Sequence, residues 1–425
     1  MDVLVVGNGG REHALTWKLR RSEKVIRLYA TRPNAGQARL CEAVDLAPTD
    51  VEGIVAFVQR ADVGLTVVGP EAPLAAGLAD ALRAAGRRVV GPGRDGARLE
   101  SSKAFSKDFM RRHGIPTAAS RTFDDAGAAL AHLETARYPL VLKADGLAAG
   151  KGVEICPDAA TARAWVQQVM RDGRFGGAGG RVVVEDFLSG EEVSVIVLTD
   201  GKRVVALPTA QDHKARDDGD RGPNTGGMGA YSPAPLVTPS LWRRIEREVI
   251  ARSLAGLAAD GIDYRGFLYA GLMIVDGAPY VLEYNARLGD PEAQPILARL
   301  RSDLLPLLLG CADGELPDLR PEWDPRPAVC VVMASGGYPD AISTGHVIHG
   351  LDAPFPNSVV FHAGTRREGD RVLNAGGRVL GVTALGLDLP QAIAHAYERV
   401  GGLSFQGGFY RRDIGAKALA HLEPR

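Results

Sequence analysis

The stretch ADGLAAGKGV, residues 144–153, decides how the middle of this chain is read. Its glycines and the Gly150-Lys151 pair suggest phosphate binding. A Walker loop reads GxxxxGK followed by Ser or Thr, and it joins a strand to a helix whose N-terminus receives the phosphates. Here the spacing is GxxxGK, and Gly152 stands where the magnesium-binding hydroxyl belongs. The residues that follow, GVEIC (152–156), alternate and are β-branched, so a strand follows rather than a helix. PLVLKA (139–144) is a strand as well. The stretch is therefore the glycine-rich tip of a β-hairpin, whose backbone N–H groups and Lys151 can close over phosphates. A hairpin tip without a ligand is the better reading only if the loop stands alone.

Working outward, a helix over 159–172 and strands over 181–188 and 192–200 complete a small α+β unit. Upstream, VLVV (3–6), VIRLYA (25–30), GLTVVG (64–69) and RRVVG (87–91) alternate with helical patterns over 11–21 and 72–86. That alternation predicts an open parallel α/β sheet, with ligands at the carboxyl ends of its strands, in GNGGREH (7–13) and GPEAPL (69–74). SSKAFSKDFMRRHG (101–114) is a helix with Ser101 or Ser102 as cap and Gly114 as stop. Downstream come a polar loop (211–233), a helix (239–259) and a hairpin (266–285) turning at Asp276-Gly277. Pro-rich 316–327 reads as a linker to a last α+β unit with strands near 328–337, 359–364 and 376–386. The resulting division is 1–102, an N-terminal α/β domain; 103–325, a central domain with a lid at about 122–188; and 326–425, a C-terminal α+β domain.

The chain has 425 residues, 24% of them charged, with a formal net charge of −1. Nothing in that balance favours nucleic acid or an anionic membrane as partner. Cys41, Cys156, Cys311 and Cys330 are scattered without a CxxC pair, which fits a reducing compartment and no zinc site. No segment approaches the ~18 apolar residues of a membrane span. The expectation is a cytoplasmic protein.

VLEYNARLGDPE (281–292) sets Glu283 and Asn285 two apart on a strand, hence on one face. Two oxygen donors suit Mg²⁺, which leaves positions for phosphate and water. Arg287 follows at the same spacing. A solvated strand end with a satisfied polar pair is the competing reading, disfavoured by Val281 and the adjoining GDPE turn. The loop 211–233 carries Asp212, His213, Lys214, Asn224, Thr225 and Met228, too varied for low-complexity disorder. GNGGREH lacks the third glycine of a dinucleotide fingerprint, because Glu12 occupies its place, and strand two lacks the acidic residue. The amides of Gly9 and Gly10, with Arg11, suit a single phosphate.

In this order the pieces VVGNGGREHAL, VVGPEAPL, SKAFSKDFM, KADGLAAGKGV, AQDHK, GPNTGGMGAYSP, GFLYAGLM and GDPEAQP resemble the phosphoribosylamine–glycine ligase family of the ATP-grasp superfamily. SGGYP, HAGT and GGRVLGVTALG extend the resemblance to the C-terminal part. The resemblance implies an ATP-grasp fold in the central domain and an ATP-dependent C–N ligase of purine biosynthesis. Glycine would be activated by ATP to glycyl phosphate and captured by 5-phosphoribosylamine, giving glycinamide ribonucleotide, ADP and phosphate. It also implies roles for residues. Lys103, Lys143, Gly150, Lys151 and Gly152 would contact ATP phosphates. Glu185 and the Leu188 backbone would hold the adenine edge, and Glu192 the ribose. Glu283 and Asn285 would bind Mg²⁺ or Mn²⁺. Gly9, Gly10 and Glu71 would cradle phosphoribosylamine. Asn224, Thr225 and Gly226 would bind substrate beside Lys214, Arg287 and Asp290 at the reacting centre. The strand 266–273 carries no acidic residue, so no second metal site is assigned. The implied partners are these small molecules, with a monomeric chain in transient contact with the enzyme supplying phosphoribosylamine. The nearest rival is a purine-pathway ATP-grasp ligase using formate or bicarbonate, against which GPNTGGMGAYSP speaks. A dinucleotide-dependent oxidoreductase and an inactive nucleotide-binding regulator are the rivals from other classes.

Overall fold

The computed structural model describes residues 1–147 and 152–422, so Gly150 and Lys151 lie outside the described residues. Strands β1 (Val3–Val6), β2 (Leu28–Thr31), β3 (Glu42–Val44), β4 (Leu65–Val68) and β5 (Val89–Val90) form a parallel sheet in the order β3-β2-β1-β4-β5. The order reverses at β1, which leaves a crevice at the carboxyl ends of β1 and β4. Helix α1 (Gly10–Leu19) starts in that crevice. Two elements are absent from the sequence-based expectation: β3, a short and mostly exposed edge strand, and the helix Val51–Arg60. The helix expected over 72–86 is two helices, Glu71–Ala75 and Leu78–Ala84, divided at Gly77 with φ +91°.

Helix α2 (Lys103–Arg112) is capped by Ser102, whose hydroxyl accepts from the Phe105 N–H at 3.1 Å. The lid sheet follows: β6 (Ser120–Phe123), β7 (Leu140–Ala144), β8 (Val153–Cys156) and β9 (Val182–Asp186), antiparallel in the order β6-β9-β7-β8. β7 and β8 pair with Lys143 opposite Val153, so a hairpin and not a strand–helix turn carries the glycine loop. A core of its own, including Leu133, Leu142, Trp165 and Val182, fills this unit.

The central four-stranded sheet runs from the edge strand Val204–Ala206 through β10 (Glu191–Thr199) and β11 (Gly266–Val275) to β12 (Ala278–Asn285). The β11–β12 hairpin turns at Asp276 (φ +48°) and Gly277 (φ +73°), the left-handed pair that a tight two-residue turn requires. Near its far end the register shifts by one, from Leu272 opposite Val281 to Gly271 opposite Glu283. The extra residue, Leu282, is a bulge that takes its carbonyl out of the ladder.

In the C-terminal part, β13 (Ala328–Ala334), β14 (Ser358–His362) and β15 (Arg378–Leu385) pair in the order β13-β15-β14, backed by helix α4 (Leu389–Gly401), with helix α3 (Ala293–Arg299) also packed on β13 and β15. The polar loop 211–233 joins this sheet: Gly229–Ser232 pairs with β13, and Gln211–Asp212 pairs with Gly229–Ser232. Gly229–Ser232 is fully buried, and Asp220 in the loop is tied to the buried Arg411 at 2.9 Å. Among the described residues no helix is long and apolar enough to cross a membrane.

Candidate active site

A cavity of about 810 Å³ opens where the crevice of the first sheet meets the lid, the central sheet and the start of β15. It is lined by every described residue to which the sequence assigns a role, with the exception of Gly10. Gly10 is buried at the start of α1, where a Cβ would lie 2.5 Å from the Gln294 amide nitrogen.

On the lid side, three buried charges meet. Lys143 of β7 and Lys107 of α2 flank the Glu185 carboxylate of β9 at 2.9 and 2.8 Å. Lys143 also donates to the Leu282 carbonyl at 2.8 Å, the group released by the bulge. Lys107 donates to Thr117 Oγ1, which donates onward to the Val281 carbonyl. Burial lowers the Lys107 ammonium to about 8, with Glu185 opposing the shift. Two ammoniums around one carboxylate leave surplus positive charge beside the cavity. The carboxylate implied at an adenine edge is thus paired with both lysines. Lys103 opens α2, with Nζ 3.1 Å from the Glu100 carbonyl.

Opposite these lysines lies an acidic cluster around Lys214. Its Nζ sits 2.9 Å from Glu192 and 3.5 Å from Glu283, and the Thr225 hydroxyl fixes the Lys214 carbonyl at 2.9 Å. Burial works against the Lys214 charge, yet Glu192, Glu283 and Asp212 together hold its pKa well above the ordinary value. Burial likewise opposes the Glu283 carboxylate, but Lys214, Lys103, Lys143 and Arg287 bring it down to about 2. Asp212 goes the other way. Burial pushes it up to about 8, Lys214 resists, and Glu292, Glu192 and Glu283 add to the rise. Asn285, two residues along the same strand as Glu283, faces the same cavity.

Arg287 joins this cluster to the N-terminal sheet. Its guanidinium lies 2.8 Å from the buried Glu100 and 3.6 Å from Glu71, and it donates to Asn285 Oδ1 at 3.3 Å. Glu100 also accepts the Ala286 N–H at 2.7 Å, which fixes the chain between Asn285 and Arg287. Asp290 is held by Gln294 at 2.8 Å and by Arg378 of β15 at 3.1 Å. The same arginine donates to the Asp290 and Gly226 carbonyls at 2.6 and 2.5 Å. In the loop after β1, the Gly9 N–H donates to Glu12 at 2.6 Å, and Arg11 pairs with that carboxylate at 2.5 Å. Gly9 therefore reaches the cavity with its amide engaged.

Sequence reasoning missed Glu100, Lys107, Asp145, Arg378 and Asn34. Lys107 had a signal, since it lies four residues after Lys103 on one helix. Asp145 sits inside the opening stretch and accepts the Ser102 hydroxyl and the Ala104 N–H at 2.9 and 3.1 Å, tying the glycine loop to α2. Asn34 lies in the loop after β2. Its amide bridges the Asn8 and His362 carbonyls at 2.8 Å each. Arg378 meets Asp290 and Gly226 across 88 and 152 residues and Asn34 meets His362 across 328, and nothing in local spacing reveals them.

Models of the phosphoribosylglycinamide synthetase N domain, ATP-grasp (A) domain and C domain match residues 1–100, 101–293 and 328–417. Among curated relatives, the phosphoribosylamine–glycine ligase of Allochromatium vinosum is 56% identical over 424 residues, covering 99% of both chains. That of Yersinia pestis is 51% identical, again covering 99% of both. Among solved structures, the phosphoribosylamine–glycine ligase of Thermotoga maritima superposes with a TM-score of 0.85 at 34% identity, over 97% of this chain and 100% of that one. A biotin carboxylase domain from Hydrogenobacter thermophilus, solved with MgADP and bicarbonate, shares the fold with a TM-score of 0.73 at 16% identity, covering 100% of this chain and 99% of its own. By sequence and by fold, the chain belongs to the phosphoribosylglycinamide synthetase family, the phosphoribosylamine–glycine ligases of the ATP-grasp fold.

Proposed function

We propose that this chain is an ATP-dependent ligase that joins glycine to 5-phospho-D-ribosylamine, forming glycinamide ribonucleotide, ADP and phosphate in the purine pathway of the cytoplasm. The observation that carries this reading is one continuous cavity with surplus lysine charge at the lid, an acidic cluster opposite it, and the β1 loop beyond. A triphosphate, a cation and a phosphorylated amine need those three environments side by side.

ATP lies under the lid, its base against Val141, Ile155, Leu188 and Leu282 and its phosphates toward Lys143 and Lys103. Glu185 acts on the phosphates indirectly, by holding Lys143 and Lys107 in place. Glu192, already turned into the cavity by Lys214, accepts from the ribose hydroxyls. The residues present fit a hard divalent cation. Glu283 is ionised, Asn285 offers a second oxygen, and the carboxylates of the cluster outnumber Lys214. Glu283 and Asn285 would supply two protein oxygens to the cation. That number suits Mg²⁺, and Mn²⁺ accepts the same donors. When bound, the cation neutralises triphosphate charge and aligns the terminal phosphoryl group.

Glycine sits among Lys214, Asn224, Thr225, Gly226, Arg287 and Asp290. Asp290, ionised beneath Arg378, faces its ammonium, and Arg287 faces its carboxylate. The carboxylate oxygen attacks the γ-phosphorus and ADP leaves, giving glycyl phosphate. The amine of phosphoribosylamine, whose ribose hydroxyls meet Glu71, then attacks the acyl carbon and phosphate departs. Phosphoryl transfer depends on position and charge compensation, which explains why the cavity holds lysines, arginines and carboxylates but, among the described residues, no Ser or Cys. The test is ADP formation with freshly made phosphoribosylamine, with glycine, formate or bicarbonate as the acid. ADP release should require glycine and the amine together. ADP release that continues without glycine defeats the proposal.

A further inference from the structure

A second cavity, of about 270 Å³, lies between α1, the turn that ends at Leu40, and the segment leading into β14. Among the described residues it shares no lining residue with the catalytic cavity. Two guanidiniums, Arg39 and Arg399, line it, and among the described residues no Asp or Glu does. Arg399 is only 3% exposed, and its contacts are Nη2 bonds to the Gly350 and Leu351 carbonyls at 2.9 and 3.2 Å. Among the described residues no carboxylate pairs with it. A guanidinium withdrawn from water without a counter-ion is costly, so this one is poised for an anion. Arg39 pairs with Asp352 at 3.5 Å, with both side chains largely exposed, a contact worth little and easily exchanged.

The two imidazoles of the cavity add donor capacity without charge. His13 Nδ1 accepts the His362 N–H at 2.7 Å, so the neutral ring carries its proton on Nε2. Burial holds His13 down at about 3, helped by His362, and burial holds His362 down at about 4, helped by Arg39. Apolar side chains, among them Trp17, Leu40, Leu351 and Phe355, make up much of the remaining lining.

We propose that this cavity binds a phosphate monoester with a small apolar or aromatic body, its phosphate on Arg39, Arg399 and His13 Nε2 and its body against Trp17 and Phe355. Two guanidiniums match a dianion, which favours phosphate over carboxylate, and paired Arg–phosphate bonds are the strong kind. The volume lies just under the usual range for drug-sized ligands and exceeds the needs of a bare anion.

Trp17 supplies the reporter. The full chain is titrated with phenyl phosphate and with inorganic phosphate while tryptophan emission is followed. Both should give a saturable change that disappears in Trp17→Phe. Phenyl phosphate should bind about tenfold more tightly, because its ring removes apolar surface from water. Arg39→Ala and Arg399→Gln should each weaken phenyl phosphate by tenfold or more. Arg39 is exposed, so Arg39→Ala keeps the test decisive if Arg399→Gln does not fold. Three results would overturn the proposal: no saturable change, unaltered affinity in Arg39→Ala, or equal affinity for the two phosphates.

Discussion

Replacing Glu185 by Gln removes the negative charge between Lys107 and Lys143 while preserving shape. Burial has already lowered Lys107 from 10.5 to about 8, so between those values the folded chain binds fewer protons than the unfolded one. Stability therefore rises with pH across that window, and below pH 8 the buried charge is a constant penalty. Without Glu185 the ammonium loses its counter-ion and its pKa falls further. Each unit of fall costs about 1.4 kcal/mol at any pH below the new value. Breaking a buried pair costs about 3–5 kcal/mol, the equivalent of two to four such units. At pH 7, however, Lys107 of the variant simply deprotonates, and the loss through this group stops near 1.4 kcal/mol. At pH 6 the deficit should be about 3 kcal/mol, and above pH 8.5 it should vanish. Urea unfolding of parent and variant at pH 6, 7 and 8.5 measures this directly. The KM for ATP, read from ADP release at pH 7, should rise about tenfold as Lys143 loses its anchor. A deficit that is the same at all three pH values, or an unchanged KM, would refute the claim that Glu185 serves the lysines.

Glu283→Ala should abolish turnover at every Mg²⁺ concentration that supports the parent, because it removes the ionised donor of the pair; restoration by excess Mg²⁺ in the ADP assay would place the metal elsewhere. Arg378→Ala strips Asp290 and Gly226 of charge-assisted hydrogen bonds worth roughly 1.5–3 kcal/mol, so kcat/KM for glycine should fall about 10- to 100-fold while ATP binding persists. Gly7→Ala should destabilise the chain by roughly 1–3 kcal/mol in thermal or urea unfolding, since Gly7 has φ +113° and a Cβ there would meet Glu12 and Pro70 at 2.8 Å.

Local rules carried most of the architecture because the elements concerned announce themselves locally. The Ser102 cap, the Asp276-Gly277 turn and the strand after Gly152 each follow from a few adjacent residues, and each is present. Failures occur where the partner is distant. Gly229–Ser232 reads as loop because its neighbours are polar, yet it is a buried strand once Ala328–Ala334 pairs with it. β3 carries two exposed residues out of three and has no hydrophobic pattern to betray it. The division holds for the site too. Glu283 and Asn285 are legible because a strand puts them on one face. Glu100 and Arg378 are not, since their meaning depends on Arg287 and Asp290, which the fold brings to them.

The same long-range contacts explain why three units share one cavity. Asn34 ties the β1 loop to His362 of β14, and Arg378 of β15 grips Asp290 beside α3, so the first sheet, the central sheet and the C-terminal part make a common floor. The lid meets that floor at three polar joints, Asp145 on the start of α2, Lys143 on the Leu282 carbonyl, and Glu185 on Lys107 of α2. The second joint is also a proposed phosphate contact. Lys143 cannot turn fully toward a triphosphate without loosening its bond to the bulged carbonyl, whereas Asp145 faces helix α2 and has no such conflict. Nucleotide binding is therefore felt at the Lys143 joint first, next to Glu283, while Asp145 keeps the base of the glycine hairpin in register. A bulge that looks like a defect in β12 thus brings the Leu282 carbonyl to Lys143 of the lid, directly beside Glu283 in the chain.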